Sequence, residues 1–529
     1  MKRWNGWGDS EQSYPLTDDA RRFLRERLGE PQPVRDAPLE DALRAVPASR
    51  LTGHAFDTRP DLRLRHTRGQ SFPDWLALRA GRPGPFPDAV ALPASHEETA
   101  AALAAAKRAG AIVIPYGGGT SVVGHLTVPA GDRPVLSLSL ERMDQLLELD
   151  ETAWLARFGA GTPGPQVEAQ LARRGYLLGH FPQSYDYSTI GGWVVTRSSG
   201  QQSLRYGRIE NLFHAGRLAT LKGEFRVGAV PASSAGPDLR EAVLGSEGRL
   251  GVLTEVTARI RPLARREVFH AVFFPSWEQG LSAIRALGQS DIALSMLRLS
   301  NEVETETQLA LAGHARLIAW LERYLKLRKV GPGKVMLMLG VTGSTGQVQR
   351  GLRDALAVAR RHGGVHAGAR PGAGWVKNRF RSAYLRNSLW EAGYAVDTME
   401  TCLNWPQVTA YMRAVEQAAR DAFKADGEHV HAYTHLSHVY RQGCSIYSTF
   451  VWRASGDHDR ELMRWTRFKR AVSETIVKHG ATISHQHGVG ADHAPYLAAE
   501  KGPLGMDLLR AMAREFDPEG LLNPGTLLA

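Results

Sequence analysis

Pro115-Tyr-Gly-Gly-Gly-Thr-Ser121 is the most informative stretch of this sequence. It follows the short apolar run Ala111-Ile-Val-Ile-Pro115, which predicts a strand that feeds a glycine-rich turn. Two later stretches, Ser188-Thr-Ile-Gly-Gly-Trp193 and Glu247-Gly-Arg-Leu-Gly-Val-Leu253, have the same character. Glycines and small hydroxyl residues in such turns let backbone N–H groups approach a phosphate with no Cβ in the way. Together the three stretches predict a bound dinucleotide.

The order of the elements around the glycine turn differs from that of a Rossmann dinucleotide-binding fold. Ser95-His-Glu-Glu98 is a capping box that predicts an Ala-rich helix ending at Gly110, so the order is helix, strand, glycine turn. A Rossmann domain places Gly-x-Gly-x-x-Gly after its first strand, with an acidic residue about twenty positions later. Gly117-Gly-Gly-Thr-Ser121 does not fit that fingerprint.

The rest of the chain divides into segments around this unit. A chain of 529 residues is too long to fold around one ordinary hydrophobic core, so two or three domains are expected. We predict a Pro-rich, charged N-terminal lead with one helix near Asp18–Leu28 (residues 1–86), a dinucleotide-binding domain (87–264), a cap domain of alternating strands and amphipathic helices (265–430) and a turn-rich C-terminal segment (431–529). Further strands are predicted over Val135–Leu140, Trp154–Phe158 and Val335–Leu339, with helices ending at Gly175 and around Ala355–Arg361. The predicted fold class is α+β.

Composition restricts the classes of protein that the chain can belong to. Hydrophobic residues make up 43% of it, and no apolar run approaches the eighteen residues of a membrane span. The N-terminus lacks the apolar segment of a secretory signal, and the two cysteines, Cys402 and Cys444, exclude a disulfide framework. These features lead us to expect a cytoplasmic protein. No basic amphipathic helix stands out as a membrane anchor, although weak attachment to a membrane face stays open.

The charge balance predicts a preference for anions. There are 65 basic and 54 acidic residues, a formal net charge of +11. Phosphorylated substrates, acidic lipid surfaces and nucleic acid would all be attracted to such a chain. The basic residues are spread along the sequence without an RNA- or DNA-binding motif, so we expect no nucleic-acid partner.

Six motifs in order resemble a known flavoprotein family. They are Pro115–Ser121, Gly179-His-Phe-Pro-Gln-Ser184, Ser188–Trp193, Thr196-Arg-Ser-Ser-Gly200, Gly245-Ser-Glu-Gly248 and Ile260-Arg-Pro262. They resemble the FAD-binding domain of the vanillyl-alcohol oxidase type, also called PCMH-type. Within that superfamily the chain most resembles the alkylglycerone-phosphate synthases, with Trp4-Asn-Gly-Trp-Gly8 and Ser484-His-Gln-His-Gly-Val-Gly490 at its two ends. The resemblance implies a two-subdomain FAD-binding domain, an α+β cap domain for the substrate and a C-terminal segment that returns to the flavin.

The resemblance also implies which residues bind FAD. Gly117–Ser121 would wrap the pyrophosphate, residues 183–189 and 196–199 would run along the flavin and ribityl chain, and Glu247–Leu253 would close over the adenosine side. The implied cofactor-binding residues are Pro115, Gly117, Gly118, Gly119, Thr120, Ser121, Gln183, Ser184, Ser188, Thr189, Gly191, Gly192, Thr196, Arg197, Ser198, Ser199, Glu247, Gly248, Leu250, Gly251 and Val252. Thr120 follows Gly119 where covalent flavoproteins of this superfamily carry a histidine, and His125 is the only candidate nearby, so non-covalent FAD is expected.

Six further residues fall on functional positions of the synthase family. Arg298 and Arg386 match two arginines that would hold a phosphate or a leaving carboxylate, since a guanidinium makes bidentate contacts to such groups. His180, Tyr447, His485 and His487 match its other active-site positions, where they would orient the ketone and move protons. Taken singly, each arginine could be a structural ion-pair partner and each histidine a core residue.

A cluster of histidines in the C-terminal part of the chain could bind a metal ion instead of serving in a flavin site. His429, His431, His435 and His438 lie close together, and His429 and His431 would share one face of a strand. Metal-dependent 2-hydroxy-acid dehydrogenases of the same superfamily carry Gly-His-x-Gly-Asp-Gly-Asn-x-His near this point. This chain retains the first histidine as His438 but has Tyr447 near the position of the second and lacks the Asp and Asn. We therefore expect no catalytic metal.

The resemblance implies an acyl-for-alkyl exchange on acyl-dihydroxyacetone phosphate, through an adduct at the flavin N5 atom and with no net oxidation. This is a step of ether-lipid synthesis, so the partner would be a phosphorylated or lipid-like small molecule. Two positions depart from the family: Gln486 replaces the middle of three histidines, and Gln183 replaces an aspartate beside the flavin. An FAD-dependent oxidoreductase acting on glycerol 3-phosphate or a 2-hydroxy acid is therefore the alternative, and a non-catalytic flavin-holding protein is the third. A homodimer and peripheral membrane contact are also expected.

Overall fold

The computed structural model describes residues 2–53, 56–228, 230–231, 233–311 and 315–528. The helices are α1 (Asp18–Leu28), α2 (Leu39–Arg44), α3 (Pro60–Arg65), α4 (Phe72–Arg79), α5 (His96–Arg108), α6 (Gly164–Ala172), α7 (Ile190–Val195), α8 (Ser203–Tyr206), α9 (Ile209–Leu212), α10 (Arg240–Val243), α11 (Trp277–Gly288), α12 (Glu302–Leu311), α13 (Ala315–Leu327), α14 (Thr345–Arg361), α15 (Arg370–Asn378), α16 (Leu385–Glu391), α17 (Val408–Lys424), α18 (His458–Lys478) and α19 (Leu497–Phe516).

The strands are β1 (Ala89–Ala91), β2 (Ile112–Tyr116), β3 (Val135–Ser139), β4 (Leu146–Asp150), β5 (Leu155–Gly159), β6 (Tyr176–Leu177), β7 (Phe213–Thr220), β8 (Gly223–Val227), β9 (Val252–Arg259), β10 (Arg261–Pro262), β11 (Arg266–Phe274), β12 (Met296–Ser300), β13 (Val335–Gly343), β14 (Val365–Gly368), β15 (Tyr394–Asn404), β16 (Val430–Val439) and β17 (Gly443–Arg453). The predicted mixture of helices and sheets is confirmed.

Two small sheets form the first half of the molecule. One is parallel, in the order β1-β3-β2, and the other has five strands in the order β4-β5-β9-β7-β8. Ser95 caps α5 by accepting a hydrogen bond from the Glu98 N–H, which explains why the helix starts at His96. Leu103, Phe158, Ile190 and other apolar residues of both sheets share one core. This core fixes the glycine turn at the end of β2.

A seven-stranded sheet forms the second half, in the order β14-β11-β13-β12-β16-β17-β15. One face, which includes Leu297, Leu299 and Leu337, packs in the large core with helices α11, α14 and α17. The sheet continues through the predicted boundary at residues 430 and 431, because β16 and β17 pair with β12 and β15.

The opposite face of this sheet carries a row of polar residues. Ser300 of β12 pairs with His435 of β16, His435 pairs with Tyr447 of β17, and Tyr447 pairs with Glu400 of β15. Directly paired residues point to the same face, and Arg298 joins them because it lies two residues before Ser300. A bulge in β16 places Ser437 and His438 opposite the single residue Ser445, which brings His438 towards the same face.

Segments near both chain ends contact residues that are distant in sequence. Leu522 bridges to Val113 beside β2, and the Asn523 N–H donates to the Val113 carbonyl. Near the N-terminus, the Trp7 N–H donates to Asn387 Oδ1, and Lys2 Nζ donates to the Gly118 carbonyl. Among the described residues, none of the helices combines the length and hydropathy needed to cross a bilayer.

Candidate active site

The glycine turn after β2 packs against the turn before α7 too closely for any side chain. A Cβ on Gly118 would lie 1.8 Å from the Tyr187 carbonyl oxygen, and one on Gly117 would lie 2.6 Å from Thr189 Oγ1. Gly119 has φ +71°, a left-handed conformation that glycine adopts without strain. These two turns therefore form a backbone-lined wall.

That wall belongs to a cleft between the two turns and the C-terminal segment. Its lining includes residues 115–122, 184, 188–189, 191–193, 195–196, 198, 247–248 and 251–253, with Gln486, His487 and Asn523 from the C-terminal segment. Gln486 Oε1 is buried there without a hydrogen-bond partner among the described residues. Glycine amides, hydroxyl groups and an unsatisfied amide around a long cleft fit a dinucleotide such as FAD.

Four predicted cofactor residues lie outside this lining. Gln183 instead contacts Tyr447, one of the predicted active-site residues, with its Oε1 3.4 Å from the Tyr447 hydroxyl. Ser199 Oγ lies 3.2 Å from His438 Nδ1. Arg197 and Leu250 line a neighbouring pocket, and Arg197 is paired with Glu241. The assignment of cofactor residues stays a prediction.

Glu247 holds the C-terminal histidine loop (residues 484–490) against the cleft. Its carboxylate accepts hydrogen bonds from the Val489 and Gly490 N–H groups at 2.5 and 2.9 Å. His125 Nε2 lies 3.1 Å from the same carboxylate, at ion-pair distance but without hydrogen-bond geometry. Glu247 has a positive φ of 52°, which is strained for a residue with a side chain. The side chain of Glu247 therefore anchors the loop instead of facing the cofactor space.

Arg298, Glu304 and His435 form a buried network beside Tyr447. The Arg298 guanidinium donates to Glu304 Oε1 at 2.7 Å, and His435 Nδ1 lies 3.0 Å from the same oxygen. The His435 ring stacks on the Tyr447 ring with centroids 4.9 Å apart. Because Glu304 is an acceptor, Nδ1 of His435 carries the proton and Nε2 is left as the basic atom.

The charges of this network follow from burial and pairing. Burial alone would raise the pKa of Glu304, but His435 and Arg298 outweigh it and hold that pKa at about 2. Burial lowers the pKa of His435, with Arg298 adding to the effect, so the imidazole is neutral. Burial also raises the pKa of Tyr447, whose hydroxyl lies 3.1 Å from Thr398 Oγ1. Tyr447 is thus a proton donor at neutral pH.

Arg386 is a buried cation with few partners. Its Nη1 donates to the Gln70 carbonyl at 2.6 Å, while Nε and Nη2 are buried without a partner among the described residues. Its guanidinium lies 4.8 Å from the centre of the Trp75 ring. Burial lowers its pKa, against the opposing effect of the acidic groups Asp397 and Asp74. An unsatisfied guanidinium in this position can accept an anion.

The two predicted histidines of the C-terminal loop have different surroundings. His487 lines the cofactor cleft, and its ring lies 6.1 Å from the Tyr447 ring. His485 instead faces the neighbouring pocket, where Nδ1 lies 3.1 Å from Glu400 Oε1 and Nε2 lies 2.7 Å from Tyr440 OH. Burial lowers the pKa of both imidazoles. His487 is therefore the loop histidine available to a bound flavin.

Glu400, His438 and His485 are the candidate metal ligands of the structure, with ligand atoms within 4.8 Å of one another. The position of Arg208 argues against metal binding here, because its Nη1 lies 2.6 Å from His485 Nε2. A guanidinium only donates, so the His485 proton must reside on Nδ1, the atom that faces the carboxylate. His431 lies apart and contacts Thr307 Oγ1 at 2.8 Å. The expectation of no catalytic metal stays a prediction.

His180 lies beneath the cleft. Its Nε2 is 3.2 Å from Ser198 Oγ, and its ring is 4.7 Å from the Trp193 ring. Burial lowers its pKa to about 3, so it is neutral under ordinary conditions. These contacts place it beside predicted cofactor residues, whereas Arg298 and Tyr447 belong to the sheet face.

Sequence reasoning missed several residues of this site. Glu304, Glu400 and Arg208 were not predicted, and His435 was considered only as a rival metal ligand. A signal was available at one strand: Arg298 and Ser300 are polar residues at alternate positions of the otherwise apolar β12. Such spacing indicates that one face of a strand serves a polar site.

Comparison with known proteins agrees with this architecture. A family model described as "FAD binding domain" matches residues 87–228, and one described as "FAD linked oxidases, C-terminal domain" matches residues 263–527. Alkyldihydroxyacetonephosphate synthase of Trypanosoma brucei brucei is 28% identical, covering 99% of this chain and 92% of its own. The protein of that name from Caenorhabditis elegans is 29% identical, covering 99% and 95%. The predicted resemblance is confirmed.

Solved structures confirm the predicted fold. A structure of alkyldihydroxyacetonephosphate synthase matches with a TM-score of 0.81 at 23% identity, covering 99% of this chain and 98% of the other. Substrate-bound p-cresol methylhydroxylase matches with a TM-score of 0.69 at 15% identity, covering 96% and 97%. The two-part architecture is thus the PCMH type, with an FAD-binding domain followed by the C-terminal domain of the FAD-linked oxidases. Since the C-terminal family model covers half of its length, the chain belongs to the FAD-linked oxidases and is an FAD-dependent enzyme.

Proposed function

We propose that this enzyme exchanges the acyl group of acyl-dihydroxyacetone phosphate for a long-chain alkyl group. The observation that carries the proposal is that Tyr447, His487 and Arg386 lie close together beside the cofactor cleft. Two of the Arg386 guanidinium nitrogens have no hydrogen-bond partner among the described residues. The synthases that match nearly the full length of the chain carry the name of this activity. We also propose as working assignments the predicted cofactor residues that line the cleft, and the predicted domain boundaries other than the one at residues 430 and 431, which the sheet crosses.

The exchange is balanced without net oxidation. The bond between the substrate carbon and the acyloxy oxygen breaks and the fatty acid leaves as a carboxylate, while a new bond forms to the alcohol oxygen, which loses its proton. FAD, held by the glycine turns, would supply the electron-accepting ring that makes such an exchange feasible.

The chain's own residues would bind the anion and move the protons. Arg386, with Nε and Nη2 free, would hold the phosphate or the departing carboxylate. Neutral His487 would accept a proton, and Tyr447 would donate a hydrogen bond to the substrate oxygen. Arg298 would keep His435, and hence the stacked Tyr447 ring, in position through Glu304, which both residues contact.

The test is a direct assay of the purified holoenzyme with acyl-dihydroxyacetone phosphate and a long-chain alcohol. We expect the ether product and free fatty acid in equal amounts. Tyr447→Phe should lower turnover by roughly a hundredfold, as for loss of a positioned proton donor. Tyr176→Phe is the control, because this hydroxyl contacts Glu151 at the protein surface and does not line the cleft. Failure to form product with FAD fully bound would contradict the proposal.

A redox reaction is the second candidate, and the observation that favours it is Gln486. This side chain lines the cleft where the synthase family has a histidine, and an amide neither gains nor loses a proton at neutral pH. Anaerobic mixing separates the candidates, because glycerol 3-phosphate or a 2-hydroxy acid would bleach the flavin of an oxidoreductase. A synthase would instead form its ether product anaerobically from acyl-dihydroxyacetone phosphate and a long-chain alcohol over many turnovers with no electron acceptor, because the exchange involves no net oxidation.

We further propose a cytoplasmic homodimer that contacts membranes only at their surface. Both cysteines are free thiols, and Cys444 is buried, which suits a reducing compartment. Sedimentation velocity of the holoenzyme tests the dimer: a single species at the monomer mass across micromolar concentrations would contradict it.

A further inference from the structure

Residues 2–9, which we name the N-terminal strap, form a loop that is anchored on helix α16. Lys2 bridges to Asp9, which closes the loop. The Trp7 N–H donates to Asn387 Oδ1 at 3.1 Å, and Asn387 Nδ2 donates back to the Trp7 carbonyl at 2.8 Å. Trp7 and Asn387 are both buried. These two hydrogen bonds therefore fix the strap through contacts that do not involve the cofactor cleft.

The same strap contacts both turns of the cofactor wall. Lys2 Nζ donates to the Gly118 carbonyl at 2.6 Å. The Trp7 ring packs edge-on against the Tyr187 ring, with the centroids 5.7 Å apart. Tyr187 is also the residue whose carbonyl oxygen lies against Gly118. Neither Lys2 nor Trp7 lines the cleft, so the strap supports the two turns from behind.

The Lys2 side chain is held at the glycine turn although the residue is exposed. Its Nζ lies 5.5 Å from the centre of the Tyr116 ring, and its backbone carbonyl accepts a hydrogen bond from Arg65 Nη1 at 2.7 Å. A Cβ on Gly119 would lie 2.8 Å from Nζ, so the ammonium packs directly against that residue. Fixing a lysine costs side-chain entropy, which one exposed polar contact offsets only weakly. A bound anion that is attracted to the ammonium would offset more of this cost.

The hydrogen bond from Lys2 fixes the orientation of the peptide group between Gly118 and Gly119. In a planar trans peptide, the carbonyl of one residue and the N–H of the next point in opposite directions. Because the Gly118 oxygen faces Lys2, the Gly119 N–H points away from the strap. Among the described residues, neither Gly118 nor Gly119 donates its N–H to another group. These amides are therefore available to an anion in the cleft.

The cleft has few cations of its own for the diphosphate of FAD. None of the described residues that line it is an arginine or a lysine. We propose that Lys2 is a positioning residue for the diphosphate at the glycine turn. Its ammonium holds the Gly118 carbonyl away from the phosphates, directs the Gly119 N–H towards them and partly balances their charge. The inference goes beyond the proposed reaction, because it concerns cofactor affinity and applies equally to a synthase and to an oxidoreductase.

Binding of FAD and its fragments to the full-length, flavin-free protein tests the proposal. Titration calorimetry would measure the Kd of FAD, ADP and riboflavin. Lys2→Met should raise the Kd of FAD and of ADP by roughly tenfold, as for loss of one charge-assisted interaction. The Kd of riboflavin should stay the same, because riboflavin has no phosphate. Added salt should weaken ADP binding more in the unchanged protein than in the variant, since salt screens the ammonium.

Two further variants serve as controls. Lys2→Arg should retain most of the ADP affinity, because a guanidinium can donate to the same carbonyl and carries the same charge. Lys222→Met removes an exposed lysine that pairs with Glu515 at 2.6 Å, and it should change none of the three Kd values. An equal loss of ADP and riboflavin affinity in Lys2→Met would show that the lysine only supports the fold, and unchanged ADP affinity would show that its charge has no effect. Either result would overturn the proposal. The thermal midpoint of the flavin-free protein verifies that each variant is folded.

Discussion

At the scale of single residues, Gly118 shows how closely the cofactor wall is packed. Its Cα hydrogen faces the Tyr187 carbonyl, and a methyl group there would overlap that oxygen. Backbone atoms on both sides cannot move without opening the turn. The glycine is required by a close approach of two chain segments, since its φ lies outside the positive range.

We predict that Gly118→Ala abolishes FAD retention and lowers the thermal midpoint, because the overlap must displace the loop 187–189. Gly374→Ala is the control: it lies in α15 with open space around its Cβ position and ordinary φ. That change should be neutral or stabilise by about 0.5–1 kcal/mol. Flavin absorbance per protein and thermal denaturation measure both. A Gly118→Ala enzyme with full FAD would contradict the packing.

The two site arginines should respond in opposite ways to neutral replacement. Arg386 is a buried cation without an acidic hydrogen-bond partner among the described residues, so Arg386→Met should leave stability unchanged or raise it. Arg298→Met should lower the free energy of unfolding by about 1–3 kcal/mol, because it leaves the buried Glu304 carboxylate with only His435.

Both replacements should reduce turnover, and Arg386→Met should lower kcat/KM by roughly 10–100-fold through loss of a charged contact. Urea denaturation and steady-state kinetics measure the two effects. Strong destabilisation by Arg386→Met would show that this arginine has a structural role instead of an anion-binding one.

At the scale of elements, Glu247 joins the FAD-binding domain to the histidine loop. It follows the turn after α10, yet its carboxylate accepts the N–H groups of Val489 and Gly490. Its backbone carbonyl also accepts from Asn523 Nδ2 at 2.8 Å. Three segments distant in sequence therefore meet at one residue, and the position of His487 depends on this junction.

We predict that Glu247→Gln frees the histidine loop, because an amide can accept only through its single oxygen. Hydrogen exchange at residues 486–490 should rise and turnover should fall at least about tenfold, in line with loss of charge-assisted hydrogen bonds. Glu241→Gln, which removes an exposed partner of Arg197, should change neither. Unaltered exchange in the Glu247 variant would show that the loop is held by other contacts.

At the scale of the whole molecule, several buried histidines make stability depend on pH. Burial lowers the pKa of His66 and His431 to about 4 and that of His180 and His438 to about 3. Each is neutral in the folded protein, whereas in the unfolded chain it gains a proton below about pH 6.5. Their stabilising contribution is therefore complete above pH 6.5 and is lost as the pH falls towards 4.

We predict that the free energy of unfolding falls below pH 6.5, by up to about 1.4 kcal/mol per pH unit for each such histidine. His431→Gln should make this fall less steep, by up to about 1.4 kcal/mol per pH unit, because it removes one such histidine. His431 suits the test because it contacts Thr307 and lies outside the proposed catalytic groups. His429→Gln, at an exposed position, should leave the slope as it is. Urea denaturation between pH 4.5 and 7 measures the slopes, and equal slopes for all three proteins would contradict the assignment.

Local sequence determined the elements that its own residues can form. Helix α1 spans the predicted Asp18–Leu28, and Ser95 caps α5 as its capping box predicts. The glycine turns could also be predicted, because glycine at the end of an apolar strand permits backbone conformations that a Cβ would forbid. The resemblance then extended this local information to the order of the two domains.

Only the tertiary structure decided which residues meet. Glu304 with His435, Glu400 with His485, and Glu247 with Val489 lie far apart along the chain, so their pairing follows from the tertiary fold. Sheet register and a β-bulge place His435, Glu400 and His438 on one face. It likewise decided that Leu325 is buried while Trp320 and Leu327 of the same helix face outward. Periodicity shows that a helix has an apolar side, but burial depends on what the rest of the chain places against it.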